Sequence, residues 1–282
     1  MAKRKYCFDD AGIEKLQSEG RGQGSGGDYV PWIRAHDINS IGLTTRAPGW
    51  KSGRIHHFLS KLEAHYFYCL EWADCVLDIR EQFPLDHHAT YKIAEAAGIN
   101  YPWDRKTGFN TVLTTDFLIS VKDSKGGSVQ LARTVKHSKD LKSERVLEKF
   151  EIERRYWQEL GIYWGIVTEH QVPSVLVSNI MDCYEHRTLD QAINFDAQDV
   201  ELIASQLPSI AAEYPEYKLN RLSALFDELY SLKAGSTLAV LKHLAATKKI
   251  ALPPDIRWFA EAKAKDINCP VAEMKQVVEV IG

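Results

Sequence analysis

The chain has 282 residues, a hydrophobic share of 45%, a charged share of 26% and a formal net charge of −3. That length suits two domains with separate cores, and that composition is ordinary for a soluble globular protein. No apolar run approaches the roughly 20 residues of a membrane span, and the charge balance excludes a broad basic footprint, so any DNA surface is a local patch or is shared with a partner.

MAKRKYCFDD at the N-terminus has early basic residues with no apolar segment behind them, which does not fit a signal peptide. Cys7, Cys69, Cys75, Cys183 and Cys269 are odd in number, scattered and free of CxxC pairs. This points to a reducing, cytoplasmic compartment and away from a disulfide framework or a structural zinc site.

Residues 8 to 19 read as a short helix with Ile13 and Leu16 on one face, ended by Gly20. The glycine-rich run from Gly20 to Gly27 reads first as a flexible linker. Its alternative is a loop that approaches a phosphate chain, with Arg21 supplying charge. Gly53 to Leu59 is extended. Adjacent strand residues point to opposite faces, so His56 and His57 cannot ligate one ion there. Surface or half-buried histidines are the first reading, and Arg54 and the two histidines could also lie along a DNA backbone.

Ser60-Lys61-Leu62-Glu63 has the form of a capping box opening a helix to Trp72, which by itself explains Glu63. Val76 to Leu85 reads as a strand with Leu77, Ile79 and Phe83 on one face. Asp78, Arg80 and Gln82 lie on the other, facing solvent or a polar cleft. Residues 88 to 98 look helical, and the segment from Asn100 to Asn110 is irregular.

Thr111 to Ser138 reads as two strands joined by a tight turn, with Gly126 and Gly127 free to take positive φ. Asp116 interrupts the apolar run of the first strand, and Lys136 closes the second. At one sheet end they could hold a divalent cation and activate water; otherwise both point into solvent. Ser143 opens a long helix to Gly161 with an apolar stripe of Val146, Phe150, Trp157 and Leu160, its charged face solvated. Ile162 to Thr168 is a buried strand. The order from Ser60 is α-β-β-β-α-β, a mixed sheet with helices on it. Helices follow over residues 172–183, 196–212, 220–232 and 236–246, then a short strand over 248–252, the outline of a winged-helix-like module.

Several segments together resemble the TnsA family, the endonuclease subunit of a heteromeric bacterial cut-and-paste transposase. They are GRGQGSGGDYVPW (20–32), GRIHHFLSKLE (53–63), LEWADCVLDIREQFPL (70–85), TTDFL (114–118) and SERVLEKFEIERRYWQELGI (143–162). The resemblance implies a restriction-endonuclease-like α/β catalytic domain over 1–169 and a mainly helical, winged-helix-like partner-binding domain over 170–282. It implies catalytic Glu63, Asp116 and Lys136, with Glu63, Asp116 and the Val135 carbonyl holding Mg²⁺, or Mn²⁺ in its place. Gln82 and Thr134 are supporting positions, and Arg21, Arg54 and His57 are the candidate DNA contacts. Thr134 departs from the acid or amide that such nucleases carry two residues before the lysine.

The implied reaction is metal-assisted phosphodiester hydrolysis at the 5′ ends of a transposon. The implied partners are transposon-end DNA, a TnsB-like transposase that cuts and joins the 3′ ends, and a TnsC-like AAA+ ATPase regulator. Two alternatives stand beside it: a stand-alone restriction- or resolvase-like nuclease, and a non-catalytic transpososome assembly factor.

Overall fold

The computed structural model describes residues 9–37, 44–104, 108–188 and 197–267, so Cys7, Arg105 and Cys269 lie outside the described residues. These residues divide into two units, one up to Val172 and one from Pro173. In the first, helix α1 (Asp10–Ser18) is capped by the Asp9 carboxylate, which accepts the Gly12 N–H at 2.7 Å. Strands β1 (Thr45–Pro48) and β2 (Ile55–Phe58) form an antiparallel ribbon. Helix α2 (Lys61–Trp72), strand β3 (Val76–Pro84) and helix α3 (His87–Ala96) follow. Next come β4 (Thr114–Lys122), β5 (Ser128–Val135), α4 (Glu144–Glu159) and β6 (Tyr163–Val167).

The main sheet has the order β3-β4-β5-β6. Its first two ladders are antiparallel, and β5 pairs β6 in parallel across the α4 connection. This is the mixed sheet flanked by helices expected of a restriction-endonuclease-like fold. The β4–β5 turn forms for the local reasons the sequence supplies: Asp123 Oδ1 accepts the Lys125 and Gly127 amides, and Gly126 takes φ +83°. Both faces of β4 are covered. Phe117 packs on Phe58 and Tyr66, while Leu118 joins Ala132, Ile152 and Trp157 in the cluster beneath α3 and α4.

Three expectations need correction here. The glycine-rich run is a packed loop: Gly22 donates to the Val30 carbonyl, Gly26 donates to Asp78, and Tyr29 Oη donates to the Glu81 carbonyl. Gly22 has φ +73°, and a Cβ there would meet Pro84 Cγ at 2.2 Å, so the loop closes on the end of β3 only with glycine. Strand β3 does not alternate throughout. Leu77 is exposed beside a register shift, and Gln82 takes φ +47° in mid-strand. That left-handed residue turns Glu81 toward β2 and Phe83 toward Trp157 of α4. Leu160, just past the end of α4, is 55% exposed, whereas Ile152 and Glu153 on the helix are buried.

The second unit comprises α5 (Ser174–Cys183), α6 (Ala197–Glu213), α7 (Leu219–Leu229), α8 (Ser236–Ala246) and α9 (Trp258–Glu261). The strand expected over residues 248–252 does not form: Lys248 takes φ +59° in the turn after α8. The buried Asn179 amide instead holds the following chain, donating to the carbonyls of Pro253 and Ile256 and accepting from Trp258 N–H. Among the described residues this unit is helical and has no β wing.

Candidate active site

Ser60 caps α2 by accepting the Glu63 N–H at 3.1 Å. The expected return bond does not go to the cap amide. Glu63 Oε2 accepts from Leu59 N–H at 2.9 Å instead, one residue earlier. The buried Glu63 side chain thereby faces the end of the sheet, where Gln82 Nε2 also reaches Oε2 at 3.4 Å. The same Nε2 donates to Asp116 Oδ1 at 3.2 Å, and Thr114 Oγ1 donates to Gln82 Oε1, fixing which way the amide points. One left-handed glutamine thus joins two carboxylates. A buried, non-glycine residue held at positive φ stores strain of the kind found at functional sites.

Asp116 stands where β4 and β5 part. Their ladder ends at Phe117–Arg133, and the next amide along, Val135 N–H, donates to Asp116 Oδ2 at 2.7 Å. Lys136 follows, half-buried, its amide bonded to the Val167 carbonyl of β6. Burial holds both carboxyls above their ordinary range, and Asp116 raises Glu63 further; the Lys136 ammonium partly offsets this at Asp116. Among the described residues no three His, Cys, Asp or Glu side chains form a ready-made metal cage. The groups that converge on the Gln82 amide are two carboxylates, whose donors are all oxygen. That fits a hard divalent cation completed by water or substrate oxygens, and such a cation would relieve the carboxylate repulsion.

The structure adds Glu153, which the charge pattern of the helix alone places on a solvated face. Its Oε2 accepts from Thr134 Oγ1 at 2.7 Å and Thr115 Oγ1 at 3.1 Å. Trp164 and Trp157 donate in turn to those hydroxyls. The acid missing at Thr134 therefore has a counterpart arriving from α4. A signal existed: Glu153 lies three residues after Phe150 and four before Trp157, inside the apolar stripe.

Burial raises Glu153 to about 8. A carboxyl that binds its proton more tightly when folded loses stability as pH rises from its unfolded pKa toward the folded one. Glu153→Gln keeps the acceptor and removes the titration. Its melting temperature relative to wild type should therefore climb between about pH 5 and 8; a pH-independent difference would contradict this.

The proposed DNA contacts are differently placed. Arg21 is buried and bonded to Glu19, Asp37 and the Trp32 carbonyl. Arg54 makes a two-pronged ion pair with Glu81 at 2.8 and 2.5 Å, and also bonds the carbonyls of Ile79 and Gly26. Both guanidiniums are committed inside the fold, so the assignment to a phosphate backbone is withdrawn for each. His56 is fully buried between Glu81 and Ser52. His57 is half-buried, accepts the Ala35 amide at Nδ1 (3.3 Å), and is held below its ordinary pKa by burial. It is poorly charged for a phosphate.

The family model described as TnsA-like endonuclease N terminal matches residues 73–169, which hold Asp116, Lys136 and Glu153. The model described as TnsA endonuclease C terminal matches residues 171–253. The transposon Tn7 transposition protein TnsA of Escherichia coli is 40% identical over 246 residues, which are 87% of this chain and 87% of that protein. The chain belongs to the TnsA family. As a TnsA-type protein it is a DNA endonuclease, the nuclease subunit of a transposition machinery. No helix among the described residues is long and apolar enough to cross a membrane.

Proposed function

We propose that this TnsA-type endonuclease hydrolyses a phosphodiester at the 5′ ends of its transposon with Mg²⁺ held by Glu63, Asp116 and the Val135 carbonyl. The observation that carries this reading is the meeting of Glu63 and Asp116 on the Gln82 amide, beside Lys136. Bound there, the cation would supply Lewis-acid polarisation of the scissile phosphate. Lys136 positions the attacking water and stabilises its loss of a proton. Gln82 keeps the two carboxylates convergent. The Thr134 hydroxyl, committed to Glu153, holds β5 in place rather than acting as a ligand. Mn²⁺ has the same oxygen preference and should substitute.

The remaining assignments follow the family. A TnsB-like partner would make and join the 3′ ends, a TnsC-like ATPase would contact the helical second unit, and the work would take place in the cytoplasm. The modest net charge supports delivery to DNA by such partners.

Thermal unfolding with and without Mg²⁺, run beside cleavage of a transposon-end duplex, tests the site. Mg²⁺ should raise the melting temperature of wild type by ligand linkage, about 2.7 kcal/mol at a hundredfold excess over Kd. It should leave Glu63→Gln unmoved, and product should form only where the shift occurs. An equal shift in the variant would refute the ligand set.

A further inference from the structure

We propose that Lys149 of α4 is a substrate-binding residue that, beside Lys136, forms a site for a backbone phosphate of the DNA strand being cut. This rests on the endonuclease reading of the neighbouring carboxylates and names a contact to the substrate that the reading does not contain.

The placement comes from two spacings that match. Glu153 is tied to Thr134 of β5 at 2.7 Å, which fixes one level of α4 against one level of the strand. Since β5 and β6 are parallel across α4, the helix runs back along β5, and its N-terminal half lies toward the β5 end. Lys149 is one turn N-terminal to Glu153, about 6 Å along the helix on the same face. Lys136 is two residues beyond Thr134, about 6.6 Å along the strand direction. The two lysines therefore stand at the same level.

Their electrostatics agree with this placement. Burial lowers the Lys149 pKa, and Arg145 and then Lys136 lower it further; Glu153 offsets this least. Among the described residues no carboxylate lies within ion-pair distance of either ammonium. Arg145, one turn further on, is neutralised by Glu148 at 2.6 Å. Lys136 feels the Asp116 charge on its other side, but the two half-buried like charges still repel each other, which an anion placed between them relieves. The adjoining carboxylates fix which anion. A strand whose scissile phosphate sits by Asp116 carries a neighbouring phosphate past this lysine pair, whereas a free nucleotide or an acidic peptide has no reason to reach both places.

The test is equilibrium binding of a labelled duplex spanning the cleavage site, in EDTA so that nothing is cut, over a salt series. Wild type, Lys149→Ala, Lys149→Gln and Lys149→Arg are compared, each with the partner transposase present and with its melting temperature recorded. Loss of one phosphate contact lowers the slope of log affinity against log salt by about 1 for Ala and Gln. Affinity should fall several-fold in both, and Arg should restore affinity and slope. An unchanged slope in Ala and Gln would overturn the proposal, as would a loss that tracks melting temperature and is not restored by Arg. Failure of the nuclease reading is separate: it would show as undiminished cleavage by Asp116→Ala, whatever Lys149 does to binding.

Discussion

Asp116→Ala should lower the single-turnover rate of DNA cleavage by about a thousandfold or more, with the fold retained. Asp116 serves the site through both oxygens, one on Gln82 and one on Val135 N–H. Removing it deletes one of two carboxylates offered to the cation and releases the Gln82 amide from one side. A thousandfold corresponds to about 4 kcal/mol of transition-state stabilisation, within reach of one lost metal ligand. The fold should survive because the substitution also removes the charge that raises Glu63. The Val135 amide loses an acceptor, and the relief at Glu63 offsets that loss. Cleavage within tenfold of wild type, with a normal melting temperature, would exclude Asp116 from the reaction.

The largest loss of stability should come from Glu81→Ala. Glu81 is 1% exposed and accepts from Arg54 twice, from His56 Nδ1 and from the His57 amide. Removing it leaves the Arg54 guanidinium, itself nearly buried, without its counterion. Breaking a buried pair in this way costs about 3–5 kcal/mol. The effect has a defined pH window. Burial pushes Glu81 up, but the bonds from Arg54 and His56 outweigh it and bring the carboxyl down to about 2. A depressed carboxyl contributes stability above its unfolded pKa and loses it as pH falls through the folded one. The gap in urea midpoint between wild type and Glu81→Ala should therefore be full at neutral pH and shrink below about pH 4.5. A gap that stayed constant into acid would mean the pair contributes by packing alone.

The ion pair also illustrates what a linear reading can and cannot reach. The β4–β5 hairpin, the Ser60 cap and most helix spans were readable, because turn chemistry, capping and periodicity act within a few residues. Asp116 and Lys136 stood out for the same reason: each breaks or closes a local strand pattern. Arg54 and Glu81 lie 27 residues apart, and Arg21 and Asp37 lie 16 apart. Their partnership depends on the packing of β2 against β3 and on the closure of the glycine loop, which residue types alone do not specify. Gln82 was read on the right strand, but the left-handed turn that points its amide at both carboxylates breaks the period of two on which facing arguments rest. Glu153 was hidden by its neighbours, since eight other charged residues of the same helix do face outward or half outward.

The most direct measurement is strand-resolved cleavage of an end-labelled transposon-end duplex with Mg²⁺, for wild type and Asp116→Ala, each with and without the partner transposase. Cuts on the 5′-ending strand should need wild type, Mg²⁺ and the partner, and should vanish in the variant while the 3′ cuts persist. Cleavage by wild type alone would make the protein an independent nuclease. Assembly of the complex with no 5′-strand cut under any condition would rule out a nuclease role for this chain and leave a subunit that only builds the machinery.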